Sequence, residues 1–192
     1  MRNFTLRKRF LGSKCGTRSS FKGFIMLVVM MLMMASSAMA EVIDGIRYLL
    51  ESDTKTATLL PKMEGKYSGD IIIPEKVKGN DGVEYVVTSF DDYCFKDCRN
   101  LTSITIPSSV TSLGKSCFLG CYNLTSITIP SSVTSLGDEC FYNCSGLTSI
   151  TIPSSVTSLG DECFYNCSGL TSITIPSSVH HWGMNASLVA IA

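Results

Sequence analysis

The chain has 192 residues, of which 45% are hydrophobic, so it is long enough and apolar enough to bury the core of one ordinary domain. Its 16 acidic and 16 basic residues balance overall, but seven of the basic residues and none of the acidic ones lie within residues 1–40. The rest of the chain therefore has a formal charge of −7, which disfavours nucleic acid as a partner because phosphates repel an acidic surface.

Residues 1–40 have the pattern of a secretory signal peptide. A basic start precedes the apolar run 24–35, which is shorter than the roughly 20 residues that a membrane-spanning helix needs. Ala38 and Ala40 supply the small side chains of a cleavage motif, so we expect cleavage near Ala40, before Glu41. The alternative is an uncleaved membrane anchor. Cleavage predicts a secreted or cell-surface protein without a transmembrane segment in the mature chain.

A 23-residue repeat dominates the remaining sequence. Isoleucine-proline pairs recur at this spacing, and their prolines are Pro107, Pro130, Pro153 and Pro176. A degenerate copy ends at Pro74, and the ten additional residues before Pro107 match a turn-rich insertion at 78–82 that predicts a hairpin. Repetition at this period is typical of stacked coils, since no single coil can bury its apolar face alone.

The first part of each repeat predicts a short strand. Leu101, Ile104 and Ile106 have the L-x-x-L-x-L spacing of leucine-rich repeats, in which alternate apolar residues enter the core. Pro107 ends this strand because it has no N–H group for the ladder. Val110 and Leu113 follow as further inward residues.

The second part of each repeat predicts one or two turns of helix. Residues 115–122 show this best, with Cys117, Phe118 and Cys121 on the buried side. We therefore expect an α/β solenoid: a right-handed leucine-rich repeat coil of 23-residue repeats, with short strands on the concave face and short helices on the convex face.

The domain organisation follows from these segments. The signal peptide at 1–40 precedes a small N-terminal β cap at 41–70, the solenoid at 71–179 and a tail at 180–192. In the tail the repeat pattern fails, because His180, His181 and Trp182 replace the expected residues. The tail is either a capping segment or the result of a truncation or frame change.

The amino-acid sequence of the repeat resembles that of a known family. C-F-x-x-C-x-x-L-T-S-I-T-I-P-S-S-V-T-S-L-G, at 94–114 and three times more, is similar to the BspA-like leucine-rich repeat surface proteins. Residues 44–48 and 67–71 resemble that family's N-terminal region. The resemblance covers residues 42–179 and implies a secreted or surface location and adhesion or recognition, but it carries over no defined binding residues. The chain departs from the family by having cysteine where alanine usually precedes the phenylalanine.

Eight cysteines follow residue 40 as four pairs, each four residues apart. They are Cys94, Cys98, Cys117, Cys121, Cys140, Cys144, Cys163 and Cys167. We favour buried thiols that pack as small hydrophobes. Disulfides between coils are the second interpretation, because stacked strands lie about 4.8 Å apart, within the Cα separations of roughly 4.4–6.8 Å that a disulfide accepts. A zinc site is the least favoured, and we expect no metal or cofactor.

The strand positions between the inward residues predict two rows of exposed hydroxyls. They are Ser103, Thr105, Ser126, Thr128, Ser149, Thr151, Ser172 and Thr174. A surface of this kind suits a protein or glycan ligand. The alternative is that threonine occurs here only because it is well suited to exposed strand positions. A further set, Ser109, Ser132, Ser155 and Ser178, is expected to satisfy buried backbone groups.

The remaining polar residues do not predict catalysis. Asp138, Glu139 and their copies in the next repeat lack the clustered oxygens of a calcium site and are expected at exposed helix starts. The histidines lie only in the tail, so no serine or cysteine of the repeats has a base. The sequence therefore predicts a non-enzymatic extracellular or cell-surface binding or adhesion protein that recognises an extracellular protein or glycan through the concave face. The alternative is a structural or truncated envelope protein that binds nothing.

Overall fold

The structure is a computed structural model that describes residues 38–185. Its first three strands are antiparallel. They are β1 (Ala38–Ile43), β2 (Ile46–Glu51) and β3 (Thr56–Leu59). The turn residues Asp44 and Gly45 have φ angles of 51° and 78°, the positive values that a two-residue hairpin of the primed type requires. Residues 1–37, with most of the predicted signal peptide, and residues 186–192 of the tail lie outside the described range.

Strand β1 contains the residues of the predicted cleavage motif. Ala38, Met39 and Ala40 pair with Glu51, Leu50 and Leu49 of β2. Cleavage before Glu41 would therefore shorten β1 to its last three residues.

A hairpin joins this cap to the repeats. After β4 (Gly69–Ile72), strands β5 (Lys76–Lys78) and β6 (Glu84–Phe90) pair antiparallel, and the Gly79 N–H donates to the Val83 carbonyl at 2.9 Å. The hairpin predicted from the insertion at 78–82 is thus present. Strand β6 also pairs in parallel with β3, with a register shift between Ala57 and Thr58, so one sheet extends from the cap into the repeats.

The first three repeats each contain two strand segments rather than the one that was predicted, whereas the fourth contains the second segment alone. The longer segments are β7 (Leu101–Thr105), β9 (Ser126–Thr128) and β11 (Ser149–Thr151). The shorter ones are β8 (Ser112–Leu113), β10 (Ser135–Leu136), β12 (Ser158–Leu159) and β13 (His181–Trp182). A turn after each proline separates the two segments, as where the Val133 N–H donates to the Pro130 carbonyl at 3.0 Å.

The two kinds of segment belong to different sheets. The short segments pair in parallel within a nine-stranded sheet of order β1-β2-β3-β6-β8-β10-β12-β13, to which β5 adds through β6. Its register joins equivalent residues, so that Ser135 lies between Ser112 and Ser158. The longer segments form two separate two-stranded sheets, β4-β7 and β9-β11.

The short helices expected in each repeat are not formed among residues 38–185, where turns replace them. Ser116 and Glu139 have φ angles of 51° and 54°, in the left-handed region that no right-handed helix contains. Alternate N–H groups donate to the next repeat instead of to their own turn, as from Phe118 to the Cys140 carbonyl at 2.8 Å. The segment was mistaken for a helix because its apolar residues are also spaced four apart.

A column of phenylalanines fills the centre of the molecule. Phe95, Phe118, Phe141 and Phe164 are fully buried. Their rings stack with centroids 5.2, 5.2 and 5.4 Å apart and planes within 4° of parallel. Leucine, isoleucine, valine and cysteine columns surround the rings, so one continuous apolar core extends through all the coils.

Replacement of Phe118 by alanine should destabilise the whole array. The variant loses ring contacts on both sides and leaves a cavity that rigid neighbouring coils cannot fill, so we expect a loss of about 3–5 kcal/mol in the free energy of unfolding. Urea denaturation followed by circular dichroism measures it. The exposed Thr128→Ala variant, expected to lose under about 1 kcal/mol, is the control; equal losses would contradict the central role of the column.

Candidate ligand-binding face

Two rows of outward side chains run across the longer strand segments. In β9 and β11 the isoleucines face the core, whereas Ser126 and Thr128 are exposed and lie beside Ser149 and Thr151 in register. Ser103 and Thr105 are exposed in β7, and Ser172 and Thr174 are exposed although their segment is not a strand. We call these eight residues the hydroxyl face. All eight predicted candidates are therefore at the surface.

Asp70 and Ile72 extend the hydroxyl face at its N-terminal end. Strand β4 pairs with β7, and the register places Asp70 beside Ser103 and Ile72 beside Thr105. Each row of hydroxyls thus begins with a different residue, a carboxylate in one row and an apolar side chain in the other. Neither residue was among the candidates predicted from the sequence, although the alignment of Pro74 with Pro107 places both in these rows.

The Asp70 carboxylate organises its end of the face. Its Oδ1 accepts hydrogen bonds from the Thr102 hydroxyl at 2.6 Å and the Ser103 hydroxyl at 2.7 Å. These two hydrogen bonds lower the pKa of Asp70 below its ordinary value, because they stabilise the ionised form. Of the eight hydroxyls, Ser103 is therefore already engaged within the protein.

The Ile72 side chain is 75% exposed, a large fraction for an isoleucine. It lies in the row where the later repeats have threonine, so its exposure is not a requirement of the coil. Exposed apolar residues next to polar ones are common at sites of contact with other proteins.

The cysteines lie in the core in two columns. All eight are buried free thiols. The Sγ atoms of Cys121, Cys144 and Cys167 donate to phenylalanine carbonyls of the preceding repeat at 3.1, 3.0 and 3.0 Å. Burial raises the pKa of Cys167 to about 12. The geometry thus gives the second column of thiols a role in holding successive coils together.

The acidic residues after the short strands also join coils. Asp138 Oδ1 accepts from the Asp161 N–H at 2.9 Å, and Asp161 Oδ1 accepts from the Met184 N–H at 2.7 Å. Glu139 accepts from the Ser116 hydroxyl at 2.7 Å. The expectation that these residues lie at helix starts was wrong, because turns occupy the segment. Asp138 and Asp161 accept from backbone N–H groups of the following coil, and Glu139 accepts from a hydroxyl of the preceding one.

The four inward serines differ in their partners. Ser132 and Ser178 donate to the Val110 and Val156 carbonyls at 2.5 and 2.9 Å, as predicted for serines that satisfy backbone groups. Within residues 38–185, the buried Ser109 and Ser155 hydroxyls have no partner. None of the four belongs to the hydroxyl face.

The beginning of the tail continues the coil despite its changed sequence. His181 and Trp182 pair in parallel with Ser158 and Leu159, and the Gly183 N–H donates to the Leu159 carbonyl at 2.8 Å. The two histidines are exposed. Among residues 38–185 no helix is long and apolar enough to cross a membrane.

The family model of the BspA type leucine rich repeat region matches residues 83–187 in six copies. The chain belongs to the BspA-type leucine-rich repeat family. Because the match extends to residue 187, it includes part of the tail whose sequence departs from the repeat. Searched against curated proteins, the chain has no match.

Solved structures of leucine-rich repeat proteins share the fold. The leucine rich repeat protein of T. pallidum is 26% identical to this chain, with a TM-score of 0.66 over 73% of this chain and 63% of its own. One from Bacteroides ovatus is 34% identical, with a TM-score of 0.66 over 74% of this chain and 37% of its own. A leucine rich cell surface protein from Faecalibacterium prausnitzii is 30% identical, with a TM-score of 0.60 over 79% and 46%. The chain thus spans less than two thirds of each of these structures.

Removing the two hydroxyl donors should raise the pKa of Asp70. In the Thr102→Val/Ser103→Ala variant the carboxylate loses both hydrogen bonds, so its pKa should return toward the ordinary aspartate value. A carbon-detected NMR titration of the side-chain carboxyl measures the change. The Thr105→Val variant keeps both donors and should leave the pKa unchanged; an unchanged pKa in the double variant would show that the two bonds are not formed.

The buried thiols should be inert in the native protein. Burial raises the pKa of Cys94, Cys117 and Cys140 well above the ordinary thiol value, so the reactive thiolate is scarce at pH 8. We expect no reaction of the eight core thiols with Ellman's reagent until denaturant unfolds the chain, when all eight react together. If unreduced protein shows fewer than eight such thiols after unfolding, disulfides join the coils instead.

Proposed function

We propose that the protein is an extracellular or cell-surface recognition module that binds a protein or glycan ligand through the hydroxyl face, without catalysis. The observation that supports this function best is the exposure of all eight serines and threonines, four of which lie in register between β9 and β11. A periodic row of donors and acceptors is complementary to a ligand that presents polar groups along an extended length.

Export is part of this proposal. The leader pattern at 1–40 supports it, as does the membership of the chain in a family that includes a leucine rich cell surface protein from Faecalibacterium prausnitzii. The acidic charge of the remaining chain is compatible with an uncharged or basic ligand.

The geometry of the face favours many modest contacts over one deep pocket. Its residues are short polar side chains on strands whose inward residues are fixed by the core, so the backbone presents them rigidly. The aromatic and arginine anchors that dominate tight interfaces are missing from the eight residues. We therefore expect weak single-site affinity, with strong attachment arising from many copies on one surface.

Lysine substitutions on one row should abolish binding at this face. In the Thr105→Lys/Thr128→Lys/Thr151→Lys/Thr174→Lys variant, four long charged side chains cover the row, and we expect at least about a tenfold loss of affinity. Biolayer interferometry of the purified protein against extracellular matrix proteins and a glycan array measures it.

A matched control places four lysines elsewhere on the same coils. Thr111, Thr134 and Thr157 are exposed beside the short strands, and their replacement together with His180 changes the charge without touching the hydroxyl face. Binding that is lost in the first variant and retained in the second supports the proposal. Binding that survives the first variant, or a protein that binds nothing on either panel, would contradict it.

A further inference from the structure

Strand β1 begins inside the predicted signal peptide. It is the outer strand of the nine-stranded sheet, and among residues 38–185 it pairs only with β2. Residues 38–40 make three of its six cross-strand pairs, and cleavage before Glu41 would remove them. The three residues left would form a short strand that is both a sheet edge and a chain end, where order is easily lost. A cut before Glu41 therefore divides a folded element.

Met39 lies over a buried leucine of β2. It is directly opposite Leu50, and opposite residues of an antiparallel pair have their side chains on the same face. Leu50 is 3% exposed whereas Met39 is 58% exposed, and both line a groove of about 130 Å³. Met39 is thus the outer layer of this part of the cap. Its removal would expose Leu50 to water, which costs free energy in proportion to the apolar area uncovered.

The hairpin that follows the cap packs on the same face. A Cβ atom at Gly79 would lie 3.0 Å from Leu50 Cδ1, so the hairpin turn contacts Leu50. Glu41 Oε2 accepts from the Asn80 N–H at 2.9 Å and so ties β1 to this turn. In a chain that starts at Glu41, this hydrogen bond would depend on the terminal residue, without Met39 to hold the strand in place.

The small-residue rule for cleavage is satisfied by a second bond. A signal peptidase accepts small side chains at the residue before the cut and two residues further upstream. Ala38 and Ala40 meet this requirement for a cut before Glu41. Ser36 and Ala38 meet it equally for a cut between Ala38 and Met39. Because the peptidase acts on an extended chain, the rule permits both bonds, and only the folded products differ.

We propose that the signal peptide is removed at the Ala38–Met39 peptide bond, so that the mature chain begins at Met39. Water adds across the bond, leaving a carboxylate on Ala38 and an amine on Met39. This inference rests on export, which is part of the proposed function. The product keeps five of the six pairs of β1, the cover over Leu50 and the bond from Glu41 to the hairpin.

The experiment expresses the full chain with a C-terminal affinity tag in a bacterial host. Protein recovered outside the cytoplasm is analysed by intact mass spectrometry and N-terminal sequencing. We expect Met39 as the first residue. A first residue of Glu41, or any other first residue, would overturn the proposal.

Two matched variants identify the bond independently. Ala40→Leu places a large side chain next to the Glu41 bond but beyond the proposed cut. Ser36→Leu places the same side chain two residues upstream of Ala38, where it blocks only the proposed cut. We expect Ala40→Leu to be processed to Met39 like the wild type, and Ser36→Leu to lose this product. Processing that is lost in Ala40→Leu and kept in Ser36→Leu would show that the Glu41 bond is cut instead.

Thermal unfolding tests the structural reason for the site. Purified chains that begin at Met39 and at Glu41 are compared, and each N-terminus is verified by mass. We expect the shorter chain to unfold at least about 2 °C lower. A chain that begins at residue 39 with Met39→Ser keeps the strand length but loses the apolar cover, and its unfolding temperature should lie between the two. Equal temperatures for the first two chains would overturn the proposal, since Met39 would then contribute nothing to the cap.

This proposal and the proposed function fail in different ways. A full chain that stays uncut in the cytoplasm rejects both export and the cleavage. An exported chain that begins at Glu41 rejects only the cleavage bond and leaves the hydroxyl face unaffected. An exported chain that begins at Met39 but binds no matrix protein or glycan supports the cleavage bond and rejects the hydroxyl face.

Discussion

Backbone pairing between equivalent residues of successive coils is the constraint on which the rest of the structure depends. The short strands pair in register, and alternate N–H groups of the turn segments donate to the next coil. A buried backbone group without a partner is costly, so every coil must follow the same path as its neighbour. This path leaves no room for a side chain at Gly137, where a Cβ atom would lie 2.6 Å from the backbone of Gly114. It also requires left-handed backbone at Ser116 and Glu139, which excludes a helix.

The interior follows from the same constraint. When coils repeat one path, equivalent side chains lie above one another, and a ring at Phe118 meets the rings at Phe95 and Phe141 face to face. Small residues must fill the space beside the rings, and cysteine serves there because its thiol is apolar enough to be buried and donates to a carbonyl of the preceding coil. The hydroxyl face is the outer surface of the same coils. Isoleucines in the core hold its strand segments, and its eight residues are exposed.

The family and the inward residues could be predicted from the sequence because they depend on spacing alone. The spacing of Leu101, Ile104 and Ile106 identified the longer strand, and the insertion at 78–82 identified the hairpin. The turn segments could not be predicted in the same way. Apolar residues spaced four apart occur both in a helix and in these turns, so the spacing does not distinguish the two. Asp70 and Ile72 were missed because their repeat is degenerate: a carboxylate and an apolar side chain stand where the later repeats have serine and threonine. The start of the tail continues the coil because backbone pairing does not depend on side chains, provided that a glycine such as Gly183 remains where the coils approach closely.

The almost perfect identity of the repeats has a consequence for how the gene varies. Residues 138–160 and 161–183 occupy equivalent positions, and their contacts are made with the coil before and the coil after. Unequal recombination that adds or deletes one 23-residue unit would therefore create no new kind of contact and break none. Such events would lengthen or shorten the hydroxyl face by one step while leaving the cap strands β1 to β3 unchanged. A population could thus vary the reach of the protein at the end remote from the cap without evolving a new core.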